Sequence, residues 1–209
     1  MRRSVTLPLE TTWAFYRGAT SNPLFGMFQI VAIVALLFAV TPAAADASAA
    51  WDALRKGGYV ALMRHGDAPG GAGDPAGFKL DDCSTQRNLS ERGRAEAVAM
   101  GAQIRAKGIS FTRIISSPWC RCVETAKLMD LGPVDIEPAF SNAFVLRDRR
   151  DELRRDATAI LNTWSHGTLM VVTHGANIQA LSGVSPTSAE IVVGDPLTAR
   201  VIGRIPAPN

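Results

Sequence analysis

At 209 residues the chain is long enough for one domain of ordinary size plus a tail, and it can bury a proper core. Charged residues at 20% and aromatics at 7% describe an ordinary soluble protein rather than a disordered or fibrous one. The net charge of +3 does not mark a nucleic-acid binder. Arg2, Arg3 and Arg17 against Glu10 carry two of those three charges, and no basic stripe interleaved with aromatics follows.

Residues 18–45 hold no charge, and Leu24 to Val40 are almost wholly apolar. Arginines lie on the amino side of this run, and Ala43-Ala44-Ala45-Asp46-Ala47 follows it with two A-x-A sites. Residues 1–45 are therefore expected to be a cleaved signal peptide or a retained membrane anchor, with translation starting at Met1 or at Met27. Either way residues 46–209 form a domain outside the cytoplasm, periplasmic or secreted, or anchored to the inner membrane. Membrane contact is then confined to residues 24–40 of an uncleaved form.

The spacing predicts a short helix over Trp51 to Lys56 and a first buried strand over Tyr59 to Met63. Arg64-His65-Gly66-Asp67 stands at that strand's carboxyl end, where open α/β sheets place their ligands. An Arg beside a His suits a doubly charged phosphoryl group facing a nucleophilic imidazole, and Gly66 would let backbone approach that ligand closely. Asp67 to Cys83, rich in Gly, Pro and Asp, reads as a long surface loop. Ser90 is the expected N-cap of a helix that runs to Lys107.

Arg113 to Ser117 reads as the second strand, and Arg121 falls in the first turn of the helix after it. Val134 to Ile136 is a short strand and Glu137 to Arg147 is irregular. Asp148 to Trp164 reads as an amphipathic helix, its outer face alternating arginines with acids. Thr168 to Thr173 is the central strand, and His174-Gly175 follows its end as His65-Gly66 follows the first. Ile191 to Val193 and Ala199 to Ile205 are expected edge strands. Three strand ends thus deliver Arg64 with His65, Arg121, and His174.

Three cysteines make no disulfide framework, and Cys120-Arg121-Cys122 lacks metal-site spacing, so no metal site is expected. One bridge is expected in an oxidising compartment, joining Cys83 to Cys120 or to Cys122.

Four ordered stretches, Leu62 to Gly66, Arg87 to Gly93, Ser116-Ser117-Pro118 with Arg121 and Glu124 to Ala126, and Val171 to Gly175, together resemble the histidine phosphatase superfamily, also called phosphoglycerate-mutase-like. The chain is most similar to its extracytoplasmic bacterial branch. The resemblance covers about Tyr59 to Val193. It implies an α/β fold, a three-layer α/β/α sandwich with a mainly parallel central sheet. The activity it implies is phosphomonoester hydrolysis through a phosphohistidine on His65, with Arg64, Arg121 and His174 holding the phosphoryl oxygens and Arg87 as a further phosphate contact. No metal or organic cofactor is required.

In one place the chain departs from the family pattern. Family members that cleave poor leaving groups carry a Glu or Asp in the loop after the third strand, where this chain has Asn142. Asp148, Asp67 and Glu137 are the substitute candidates for the acid, Asp148 being carried as a weak one. The expected substrate is a small-molecule or envelope phosphate ester. A protein phosphohistidine phosphatase and a non-catalytic phosphate-binding envelope protein are the alternatives. No nucleic-acid partner is expected, and nothing in the sequence sets an oligomeric state.

Overall fold

The structure is a computed structural model and describes residues 42–208. The apolar run at residues 24–40, expected as signal or anchor, lies outside the described residues. No helix among the described residues is long and apolar enough to cross a membrane.

Five helices and six strands make up the described part. In chain order they are α1 (Pro42–Lys56), β1 (Val60–Arg64), α2 (Glu91–Ala106), β2 (Arg113–Ser116), α3 (Cys120–Leu128), β3 (Val134–Ile136), α4 (Arg150–Asn162), β4 (Leu169–Thr173), α5 (Gly175–Ser182), β5 (Ile191–Gly194) and β6 (Val201–Ile205). The sheet order is β3-β2-β4-β1-β5-β6. The first four are mutually parallel, while β5 runs antiparallel to both β1 and β6.

Period-two alternation along the strands builds two cores. Ala61, Met63, Met170, Val172, Ile191 and Val193 face one side, where Trp51 and Leu54 of α1, Met100 and Ile104 of α2, and Cys122 and Ala126 of α3 cover them. Val60, Leu62, Leu169, Val171 and Val192 face the other, against Ala157 of α4, Ile178 of α5 and Phe140. The sheet is buried on both faces, which is why β1 and β4 read as unbroken apolar runs. The result is the expected three-layer α/β/α sandwich with a mainly parallel sheet.

Several elements differ from their sequence reading. The first helix starts at Pro42 rather than Trp51. The stretch before Trp51 is mostly alanine, the strongest helix former, and the helix packs on β6 closely enough that a Cβ on Gly203 would lie 2.1 Å from the Asp46 carbonyl oxygen. β5 is interior rather than an edge, because β6 covers its outer side. Asp148 falls in a 3₁₀ turn, Arg147–Arg149, ahead of α4.

The cysteine alternatives resolve to a Cys83–Cys120 disulfide, with Cα atoms 5.7 Å apart, and a free, buried Cys122. The bridge ties the end of the loop after β1 to the first residue of α3. It closes a loop with a sequence separation of 37. Replacing both cysteines by Ser is expected to lower the unfolding free energy by about 2–4 kcal/mol, read from the urea midpoint. An unchanged midpoint would mean that the loop is held by its polar contacts alone.

Candidate active site

The topology explains why two histidines meet. β1 and β4 are parallel neighbours with Arg64 paired to Thr173, so the next residue of each chain segment, His65 and His174, leaves the sheet side by side. Their ring centroids lie 5.4 Å apart. β1 continues into the loop toward α2 and β4 into α5 on the opposite face, so a crevice opens between the two connections.

That crevice has a volume of about 440 Å³, and its inner wall is Arg64, His65, Arg87, His174 and Gly175. Phe144, Asn142, Gln179 and Pro186 form much of the outer wall. No carboxylate lines it among the described residues.

His65 is 3% exposed, and its Nδ1 lies 2.8 Å from the Gly66 carbonyl oxygen. A carbonyl only accepts, so Nδ1 carries the proton and Nε2 keeps its lone pair. Nε2 accepts from the Arg121 Nε–H at 3.3 Å. Burial, then the neighbouring Arg121 charge, push the His65 pKa down to about 3. It is a neutral imidazole with one nitrogen available as a nucleophile. His174 Nε2 meets the Ser117 hydroxyl at 2.9 Å, and its Nδ1 faces the Arg121 Nη2 at 3.5 Å. Burial first, then the charges around it, hold its pKa well below the ordinary value.

Arg64 is anchored by Nη1 on the Pro186 carbonyl at 3.0 Å, and Arg87 by Nη1 on the carbonyls of Ala68 and Gly71. Each leaves its Nε–H buried and without a partner. An orphaned buried donor is costly, and both belong to side chains that line the cleft. Arg121 is fully buried and does not line the cleft. Gly175 and Ala176, the first residues of α5, do line it, so a helix amino end adds its positive pole. Gly175 packs beside the Arg64 side chain, where a Cβ would sit 3.5 Å from Arg64 Cδ, in ordinary van der Waals contact.

Some sequence-expected residues stand elsewhere. Gly66 is outside the cleft lining, and a Cβ there would come within 2.4 Å of the Gly93 carbonyl oxygen, so its missing side chain admits α2. Asp148 is exposed and outside the cleft lining, because the turn that carries it faces solvent. Asp67 is bound by the Ser90 hydroxyl at 2.6 Å and by Arg92 at 2.9 Å. Its pKa is held down by the Ser90 bond. Glu137 caps its own 3₁₀ turn through the Ala139 N–H. Asn142 does line the cleft, its Oδ1 accepting from the Phe144 N–H at 3.1 Å.

Two contributors escape a reading of the sequence. Asn177, on α5, donates to the carbonyls of Phe140 and Ser141 and accepts from Ala143 N–H, which fixes the segment carrying Asn142 and Phe144. Asp74, in the stretch whose composition reads as surface loop, pairs with Arg121 at 2.7 Å with neither side chain exposed.

Residues 60–144 match the sequence model of the histidine phosphatase superfamily (branch 1). Over that stretch, from β1 to the segment carrying Asn142, the chain is similar to that superfamily. No curated protein matches it in sequence. Among solved structures, the protein histidine phosphatase SixA complexed with tungstate is 19% identical, with a TM-score of 0.50 over 71% of this chain and 96% of that one. A SixA protein of Agrobacterium tumefaciens is 20% identical, with a TM-score of 0.52 over 72% of this chain and 99% of that one. A Thermus thermophilus protein is 15% identical, with a TM-score of 0.52 over 71% and 99%. At these identities the likeness is one of fold, and it extends over nearly the whole length of each neighbour.

The buried imidazoles set a pH dependence. Both rings bind a proton in the unfolded chain below about pH 6.5, while the folded protein resists protonation to much lower pH. The unfolded state then holds more protons, so stability falls as pH drops below about 6.5. Between pH 7 and pH 5 the loss is about 2 kcal/mol for each imidazole, and the carboxylates held below their ordinary values act only at lower pH. Urea unfolding at the two pH values checks this, with His65→Asn expected to remove about half of the loss. Equal stability at pH 7 and 5 would contradict the buried neutral state.

Proposed function

We propose that this protein is a phosphomonoesterase that works through a phosphohistidine formed on His65. The observation that carries the reading is the neutral His65 ring on the cleft wall, its Nδ1 proton held by the Gly66 carbonyl and its Nε2 lone pair meeting Arg121 Nε–H, beside two guanidiniums whose Nε–H groups lack acceptors. A binding protein needs the positive charges but has no use for a nucleophile held in one tautomer.

In this mechanism a phosphoryl dianion enters between Arg64, Arg87 and the start of α5. Arg121 Nε–H transfers its hydrogen bond from His65 to a phosphoryl oxygen, which frees the Nε2 lone pair. Nε2 attacks phosphorus in line, the phosphorus–leaving group bond breaks, and the three guanidiniums stabilise the charge spread over the equatorial oxygens. Water then attacks the phosphohistidine, releasing phosphate and restoring the ring.

The lining supports substrates whose leaving group departs without an acid, because Asn142 is the polar residue nearest in sequence to the acid of other family members and no carboxylate lines the cleft among the described residues. Aryl phosphates and phosphoramidates fit that condition. This favours protein phosphohistidine phosphatase as a second reading, in keeping with neighbours that carry the SixA name. One of those neighbours holds tungstate, a tetrahedral dianion of the kind this cleft suits. The uncharged, apolar run at residues 24–40 supports an extracytoplasmic site of action on a small or envelope ester.

The test is turnover of p-nitrophenyl phosphate and of a phosphohistidine peptide by wild-type protein and by His65→Ala. Hydrolysis is expected in the wild type and should fall on the order of 10³-fold or more in the variant. The acid limb of kcat/KM should show no enzyme ionisation near pH 6.5, because His65 stays neutral to about 3. A folded wild-type protein that binds phosphate but turns over neither compound would overturn the enzyme reading in favour of a phosphate-binding protein.

A further inference from the structure

Asp74 lies between β1 and α2 in a stretch whose composition marks it as surface, yet its side chain has no exposure. Four donors hold its carboxylate: Arg121 Nη1 at 2.7 Å and Nη2 at 3.1 Å, the Trp119 indole N–H at 2.9 Å and the Arg87 backbone N–H at 3.0 Å. A guanidinium has two forked edges, one formed by Nη1 and Nη2 and the other by Nε and Nη2. Asp74 spans the first. The second faces His65 Nε2 at 3.3 Å and His174 Nδ1 at 3.5 Å, beside the nucleophilic nitrogen where phosphoryl oxygens must come.

We infer that Asp74 is a positioning residue, gripping Arg121 by its end so that the side edge of the guanidinium meets the phosphoryl group, and remaining there through turnover. The inference rests on the phosphoryl-transfer reading above. A carboxylate in an arginine fork could equally stand in for substrate and leave when substrate arrives, but the surroundings oppose that. Departure would strand the Trp119 and Arg87 N–H groups as well as the buried guanidinium, and a single phosphoryl group at His65 cannot replace all four bonds. The loop is also fastened at its far end, since Cys83 is bridged to Cys120, the residue before Arg121. Arg87, whose backbone N–H binds Asp74, itself lines the cleft, so the same carboxylate grips one guanidinium directly and fixes the main chain of the residue that carries another.

The test compares Asp74→Asn and Asp74→Ala in the full chain, each alone and combined with Arg121→Ala. Vanadate, which adopts the five-coordinate geometry of the transition state, and inorganic phosphate serve as probes beside p-nitrophenyl phosphate. Asp74→Asn is expected to lower kcat about 100-fold with KM within about threefold, the cost of a misplaced catalytic group. Vanadate affinity should fall about tenfold or more while phosphate affinity holds within about threefold. In the Arg121→Ala background the same change should cost less than about threefold, because the group it positions is gone.

A purely structural role would lower kcat only in step with the folded fraction, measured by circular dichroism, and equally in both backgrounds. Either result overturns the inference, as does unchanged kcat in Asp74→Asn. A wild type that binds vanadate without turning over any ester would sink the phosphatase reading, and the vanadate-to-phosphate comparison would still decide the role of Asp74. A wild type that binds neither anion overturns both.

Discussion

His65 and His174 are each 3% exposed and stand among Arg64, Arg87 and Arg121, so a proton on either ring would add a further positive charge to an already cationic, poorly solvated cluster. Keeping both rings neutral is the constraint on which the rest of the site depends. A neutral His65 ring keeps one nitrogen unprotonated, and that nitrogen is Nε2, since the Gly66 carbonyl claims the Nδ1 proton. The sheet supplies the geometry. Parallel pairing of β1 with β4 brings the two rings together, and the 0% exposure of Met170, Val171 and Val172 shows how completely the strands beneath are excluded from water.

Three guanidiniums near one histidine pair, those of Arg64 and Arg87 on the cleft wall and that of Arg121 fully buried, repel one another and cannot all be left uncompensated. Asp74 offsets one of them, leaving the two positive charges of Arg64 and Arg87 at the cleft. Burial pushes the Asp74 carboxyl up, but its bonds from Arg121 and the Arg87 N–H outweigh that and hold it below the ordinary carboxylate range. It is therefore charged whenever the site is. Arg64 and Arg87 are fixed chiefly through backbone carbonyls, which anchor them without neutralising them. Ser117 and Asn177 complete the arrangement at the margins, one fixing the His174 ring and the other the loop that forms the outer wall.

The strands at the centre are legible in the sequence because a sheet covered on both faces imposes unbroken apolar runs, and Tyr59 to Met63 and Thr168 to Thr173 show them plainly. The residues beyond those strands are legible for the same reason, since a polar pair placed straight after a buried strand has few other places to go. Asp74 is not legible. Local composition marks Asp67 to Cys83 as loop, and only tertiary contact tells that one carboxylate in it is buried by an arginine 47 positions away. Gly66 reads as making room for a ligand when it makes room for α2, a distinction that depends on what stands opposite. α1 reads too short because the alanines before Trp51 resemble the end of a signal segment as much as the start of a helix. The interior position of β5 depends on β6, and pairing order leaves no trace in either strand's own residues.

The central claim is that His65 carries the phosphoryl group. The most direct measurement is to mix wild-type protein with a labelled phosphoryl donor, quench within milliseconds in alkali, and map the modified peptide by mass spectrometry. The account requires one acid-labile, alkali-stable phosphoryl group on His65, formed as fast as the leaving group appears. A phosphoryl group on any other residue, or product released with no phosphoprotein at any time, would contradict it.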